Sequence, residues 1–281
     1  MTKAELSYCA REVHRLDNDR FLAALFAPPD RREDLFALYA FNIEVAKTRE
    51  VVTEPMLGQI RLQWWRDSIA RLHEGEAPRH EVIQPLAAAV IRHGLDRSLM
   101  ERLIDAREAD LEDRPPASLD CLVNYAEVTS APLVQLALAV LGVRNEAAMA
   151  AGRHVGIAWA LVGLLRAVPH HARAHRLYLP ADLLDAQGVT ETALFEMRPE
   201  PGLSTVVRAV ADLADEHLGK ARALRSQVPR AALPALLPAA LADLSLRTLK
   251  AAGYDPFAPR VQMPHPLRQI LLAWRALTGR W

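Results

Sequence analysis

Two stretches of this chain, APLVQLALAVLGV (131–143) and VGIAWALVGLL (155–165), are apolar on almost every side. A helix of that kind has no face to offer water and must be walled in by other helices. Elsewhere apolar residues recur at helical spacing, and no run of alternating β-branched residues marks a strand. The pattern predicts an all-α chain. Leu35, Leu38, Tyr39, Asn42 and Ala46 share one face of a helix near 31–50, and Leu57, Ile60, Arg61, Trp64 and Ser68 trace a stripe through the next. Further helices are expected over 81–93, 97–112, 118–142, 145–167, 203–226, 230–251 and 265–278. Breakers separate them, among them Pro55, Gly75, Gly94, Pro115, Gly142, Pro169, Pro201, Pro229 and Gly253. No Gly/Ser linker or fixed-period repeat interrupts the series, so residues 1–281 read as a single domain. The expected architecture is a central bundle ringed by amphipathic helices and enclosing an apolar cavity.

Hydrophobic residues make up 51% of the chain, ample for a large core, while Lys+Arg and Asp+Glu both total 34. A chain without net charge or a basic tract is not built for nucleic acid. Cys9 and Cys121 are too few for a disulfide framework or a zinc knuckle and read as reduced thiols. The N-terminal MTKAELSYCAREVHRLDNDR lacks the apolar middle of a secretion signal, which points to the cytoplasm. The longest uncharged run, Val128 to Val143, is shorter than the roughly 20 apolar residues of a spanning helix. A soluble protein is expected, one able to touch a membrane surface.

The stretch GLLRAVPHHARAHRLYLP (163–180) carries Arg166, Arg173 and Arg176, three histidines and no carboxylate. His171 and His175 stand i,i+4 apart, a spacing open to zinc or iron. Pro169 interrupts the helix, however, and no nearby cysteine or acid completes a shell, so His170, His171 and His175 read as solvent-facing turn residues. The arginines are either an anion site or caps for helix carbonyls.

The segments ALFAPPDRREDLFALYAF (24–41), LQWWRDSIARLHEG (62–75), NYAEVTSAPLVQLALAVLG (124–142), 156–180 ending RLYLP, and GYDPFAPRV (253–261) resemble, in order, the squalene/phytoene synthase family. The resemblance implies an all-α prenyl-synthase bundle whose cavity holds prenyl diphosphates. In active members it also implies two aspartate-rich motifs that bind Mg²⁺ from facing helices. Counted from Tyr39, the first motif falls at 46–50, where this chain has Ala46, Lys47, Thr48, Arg49 and Glu50. The second falls on Ala167 and His171, after Arg166. With those acids missing, ionisation of a diphosphate is expected to be disabled, because arginines bind the anion but cannot replace the metal cluster.

FNIEVAKTRE (41–50), IRLQWWRDSI (60–69) and YAEVTSAPL (125–133) are similar to a branch of that family which acts in assembly of mitochondrial respiratory complex I and also lacks the acids. The resemblance therefore implies a non-catalytic protein, with no catalytic residue, no metal ligand and no cofactor. Its expected partners are complex I subunits, a prenyl or other apolar lipid, and the inner membrane as a peripheral contact. Ligand- or anion-binding candidates are Arg166, Arg173, Arg176, Tyr178, Tyr39 and Glu50. The alternative is an active prenyltransferase using Mg²⁺ with relocated acids, Glu50 with Asp212 or Asp215. A third possibility is a scaffold with its former pocket packed shut. Among the bland readings, Glu44, Glu50 and Glu54 form surface pairs with Lys47 and Arg49. Asp212, Asp215 and Glu216 make a solvated face with Arg208, Lys220 and Arg222, and Trp64 and Trp65 are core anchors.

Overall fold

Side-chain caps and prolines set where the helices begin. Ser7, Asp17, Asp96 and Ser118 each accept a hydrogen bond from a free N–H of the first turn that follows, and prolines open three further helices. The computed structural model describes residues 6–112, 114–198 and 200–281. Among them stand eleven helices of seven residues or more and no strand. In chain order these are α1 (Tyr8–Leu16), α2 (Asn18–Ala24), α3 (Pro29–Ala46), α4 (Pro55–His73), α5 (Ile83–His93), α6 (Arg97–Asp105), α7 (Leu119–Val140), α8 (Glu146–Arg173), α9 (Leu203–Ala223), α10 (Pro238–Ala251) and α11 (Arg268–Thr278).

The two apolar stretches form the axis of the bundle. α8 lies against α7 on one side and α9 on the other, with α10 also touching it. A Cβ added at Gly156 would stand 2.7 Å from the Ala131 Cα, and one at Gly152 would stand 2.7 Å from Leu138 Cδ1. These glycines let α7 and α8 approach more closely than side chains would permit. By length and hydropathy α8 could cross a membrane, which corrects the expectation drawn from uncharged runs, yet 56% of its most apolar window is buried inside the bundle. Around this axis α3 is tied to α5 by Asp34, which takes Arg92 at 2.6 Å and the His93 ring at 2.7 Å.

The helix expected over 230–251 bends by 43° before Pro238, where α10 begins, and three other boundaries also differ from expectation. The helix near 31–50 breaks at Lys47 (φ −76°, ψ 1°), and residues 48–51 form a separate turn, Thr48–Val51. The segment 97–112 becomes α6 followed by a 3₁₀ turn, Ala106–Leu111. α8 does not stop before Pro169 but runs through it to Arg173, because Val168, Pro169 and Ala172 are all buried. Tertiary packing there outweighs the local cost of a proline without an N–H.

Candidate functional site

The extension of α8 carries His170 and His171 on the helix rather than in a turn. The chain leaves through His175, held at φ 52°, while the N–H groups of Ala174 and Arg176 close on the His170 and His171 carbonyls. His170 and His175 are exposed as expected, and His175 lies 5.1 Å from the Phe195 ring. His171 is not solvent-facing: its ring packs on Tyr178 at 4.5 Å, and its Nδ1 is buried without a hydrogen-bond partner. Burial, helped by His170 and Arg176, pushes His171 down to about 4.

Tyr178 is placed by the RLYLP segment, which is pinned where the Ala181 and Asp182 N–H groups donate to the Pro116 and Ala117 carbonyls. Its hydroxyl donates to Asp110 Oδ1 at 3.0 Å, and the Tyr125 hydroxyl donates to the same oxygen at 2.6 Å. Arg107 Nη1 donates to Asp110 Oδ2 and to the Tyr125 oxygen, both at 3.2 Å. Asp110 is 7% exposed. Burial raises both phenols above their ordinary range, with Asp110 adding to the effect. Burial opposes the Arg107 charge, but Tyr125 and Asp110 hold its pKa above the ordinary value. The assembly is a closed network around one saturated carboxylate, with two protonated phenols stacked beside a neutral imidazole.

The neutral state of His171 makes stability depend on pH. Below the ordinary histidine pKa of 6.5, the unfolded chain takes up a proton that the folded chain refuses down to about 4. This contribution is complete above pH 6.5 and is lost progressively as pH falls toward 4, reaching about 3 kcal/mol. His171→Phe keeps a ring on Tyr178 and removes the titration. Unfolding curves across that pH interval are expected to be flatter for the variant, and parallel curves would show that His171 is not held neutral.

The other predicted residues do not all converge on this network. Arg176 comes nearest, donating to the Arg49 carbonyl at 3.2 Å with its Nε buried and unpartnered. Arg173 is exposed on the last turn of α8. Arg166 neither caps a helix nor stands free for an anion, since Asp19 pairs with it at 3.3 Å and with Arg268 at 3.0 Å. Tyr39 is buried on α3, under the Arg20 guanidinium at 5.9 Å, and burial lifts its hydroxyl to about 12.

Glu50 is exposed on the Thr48–Val51 turn, and Glu54 is extended ahead of Pro55 as expected (φ −118°). Glu44 is not a surface residue: it is buried and holds Arg61 at 2.7 Å and Lys47 at 2.5 Å. Asp212 and Asp215 are exposed on α9, and Glu216 pairs with Lys220. Trp65 is fully buried, whereas Trp64 is 42% exposed.

Among the described residues no group of three His, Cys, Asp or Glu side chains is arranged to hold a metal ion. Beside the network lies a surface cleft of mixed polarity and about 360 Å³, lined by Tyr125, Val128, Tyr178 and Asn124 and rimmed by Glu112, Arg114 and Cys121. Arg107 and Asp110 were not anticipated. They lie in the segment expected to form one helix over 97–112, and Tyr125 lies in the YAEVTSAPL stretch, which entered only through the family resemblance.

Comparison with known proteins bears on this arrangement. The family model for squalene/phytoene synthase matches residues 13–269. A curated relative, NADH dehydrogenase (ubiquinone) complex I assembly factor 6 of Bos taurus, is 32% identical over 95% of this chain and 81% of its own. Among solved structures, a dehydrosqualene synthase bound to a ligand superposes with a TM-score of 0.83 at 17% identity, covering 96% of this chain and 94% of that one. Squalene synthase HpnC from Alicyclobacillus acidocaldarius gives 0.78 at 21%, covering 89% and 94%. At these identities the two crystal structures speak for the fold.

Proposed function

The chain belongs to the squalene/phytoene synthase family, and from that membership we propose that it is a non-catalytic member serving in assembly of respiratory complex I. The observation that carries this reading is the side-chain content of the two metal-motif positions. Ala46, Lys47, Thr48, Arg49 and Glu50 stand at one, and Ala167 and His171 at the other. Mg²⁺ is a hard ion that takes carboxylate and water oxygens. A neutral, buried imidazole stacked on Tyr178 and a single exposed glutamate do not suit it. Asp110, the buried carboxylate nearby, is already occupied by two phenols and a guanidinium. No ionisation step follows from this donor set. The assembly role is supported by the name of the bovine relative and the near full-length match to it.

A prenyl or other apolar lipid is the small guest this reading allows. The cleft beside Tyr125 and Tyr178 offers the two rings, Val128 and Pro115 as contact surface for such a guest. The proposed location is the cytoplasm, at the face of the inner membrane. Deleting the gene is expected to lower the amount of assembled complex I, measured by NADH dehydrogenase activity on native gels. Expression of Glu50→Gln should restore it. Unchanged complex I in the deletion strain would sink the assembly role. Mg²⁺-dependent diphosphate release from farnesyl diphosphate, absent in Glu50→Gln, would sink the non-catalytic one.

A further inference from the structure

The last helix, α11, packs on α10 and α2 with its polarity reversed. Its inner side is held by Leu272, the one buried residue of the helix, and by cations. Arg268 donates to Asp19 at 3.0 Å and to Asn18 at 2.7 Å, while Arg275 stands 3.9 Å from Asp243. The outer side carries Leu267, Ile270, Trp274 and Leu277, all more than half exposed, in steps of three and four that align them in one stripe. Surface helices ordinarily turn such a stripe inward.

Apart from Arg268 and Arg275, which Asp19 and Asp243 meet on the inner side, exposed arginines flank the stripe. From Pro256 to Trp281 the sequence contains four arginines, Arg260, Arg268, Arg275 and Arg280, and no aspartate or glutamate. Exposed Arg230 donates to the Leu277 carbonyl at 3.2 Å, and exposed Arg247 shares a groove with Met263 and Pro264. A second groove of about 540 Å³ runs between Phe26, Ala273 and Leu277, with Arg230 at its edge.

We propose that this face docks on the surface of a bilayer containing anionic phospholipid, with α11 lying in the plane of the interface. The stripe enters the boundary between acyl chains and headgroups, the Trp274 indole sits at headgroup level, and the exposed Arg230, Arg247, Arg260 and Arg280 meet phosphates. At 11 residues the helix is about 16 Å long, which fits lying on a membrane and not crossing it. A protein partner would match the apolar stripe equally well but would not call for exposed arginines on several sides of it.

The assignment deepens the membrane contact proposed above. Its failure is distinguishable from failure of the assembly role, because the test contains no complex I. The full chain is sedimented with vesicles of phosphatidylcholine alone and of phosphatidylcholine with phosphatidylglycerol in equal parts. Binding to the anionic vesicles, weak binding to the neutral ones and release by salt are expected. Ile270→Gln with Trp274→Gln should weaken binding at least about tenfold, and Arg247→Gln or Arg280→Gln about fivefold each. Circular dichroism identical to that of the wild type would show that these exposed changes leave the fold intact. Failure to bind anionic vesicles, or binding indifferent to the Ile270 and Trp274 changes, overturns the proposal. So does a dimer that those changes dissolve in the absence of any vesicle binding, which would make the face a self-interface.

Discussion

Asp110→Ala is expected to lower the unfolding free energy by about 3–5 kcal/mol, because it strands the buried Arg107 charge and leaves two phenols without an acceptor. Chemical denaturation followed by tryptophan fluorescence measures it. The loss comes chiefly from the uncompensated guanidinium, so the double change Asp110→Leu with Arg107→Met should recover a large part of it. Burying a matched pair is far less costly than burying half of one. A single variant within about 1 kcal/mol of wild type would mean that water reaches the network and screens it.

The second large effect lies on the bundle axis. In Gly156→Val the new side chain starts 2.7 Å from the Ala131 Cα and 2.9 Å from the Ala131 nitrogen, so it presses on backbone that has no rotamer to change. α7 and α8 must move apart along their whole seam, at an expected cost of at least about 3 kcal/mol. Gly163 and Gly219 sit in the same class of helix with open space around the Cβ position. Alanine there should stabilise the chain by about 0.5–1 kcal/mol. Thermal unfolding of the three variants separates close approach from simple helix propensity. Equal behaviour at all three positions would mean that the seam is not tight.

Both effects bear on what could be read from the chain before its coordinates. The axis was legible because α7 and α8 are apolar all round, and only the middle of a helical bundle accommodates that pattern. Helix ends at Gly94 and Gly142 were equally plain, since glycine takes up a positive φ at each. α1 and α2 were not legible: they are short, rich in charge, and bury only small patches such as Cys9, Ala10 and Val13. The end of α8 is not legible either, because the effect of Pro169 is local, whereas the packing that overrides it comes from distant segments.

The network around Asp110 was hidden for a related reason. It joins a 3₁₀ turn, the first half of α7 and the loop after α8, and none of these announces that its polar residue will be buried. Arg166 stands out in the sequence only as one of three arginines in the 163–180 stretch. That its charge would be met by Asp19, 147 residues away, has no trace in the sequence. The direction in which α11 faces is likewise fixed by Asp19 and Asp243, not by the periodicity of the helix itself.

The guanidinium of Arg20 lies 5.9 Å from the centre of the Tyr39 ring and 6.0 Å from that of Trp159. The electron-rich faces of both rings thus already have a permanent tenant, anchored by Asp17 at 2.6 Å. One cation clasped by two rings and an acid thus staples α2, α3 and α8 to one another.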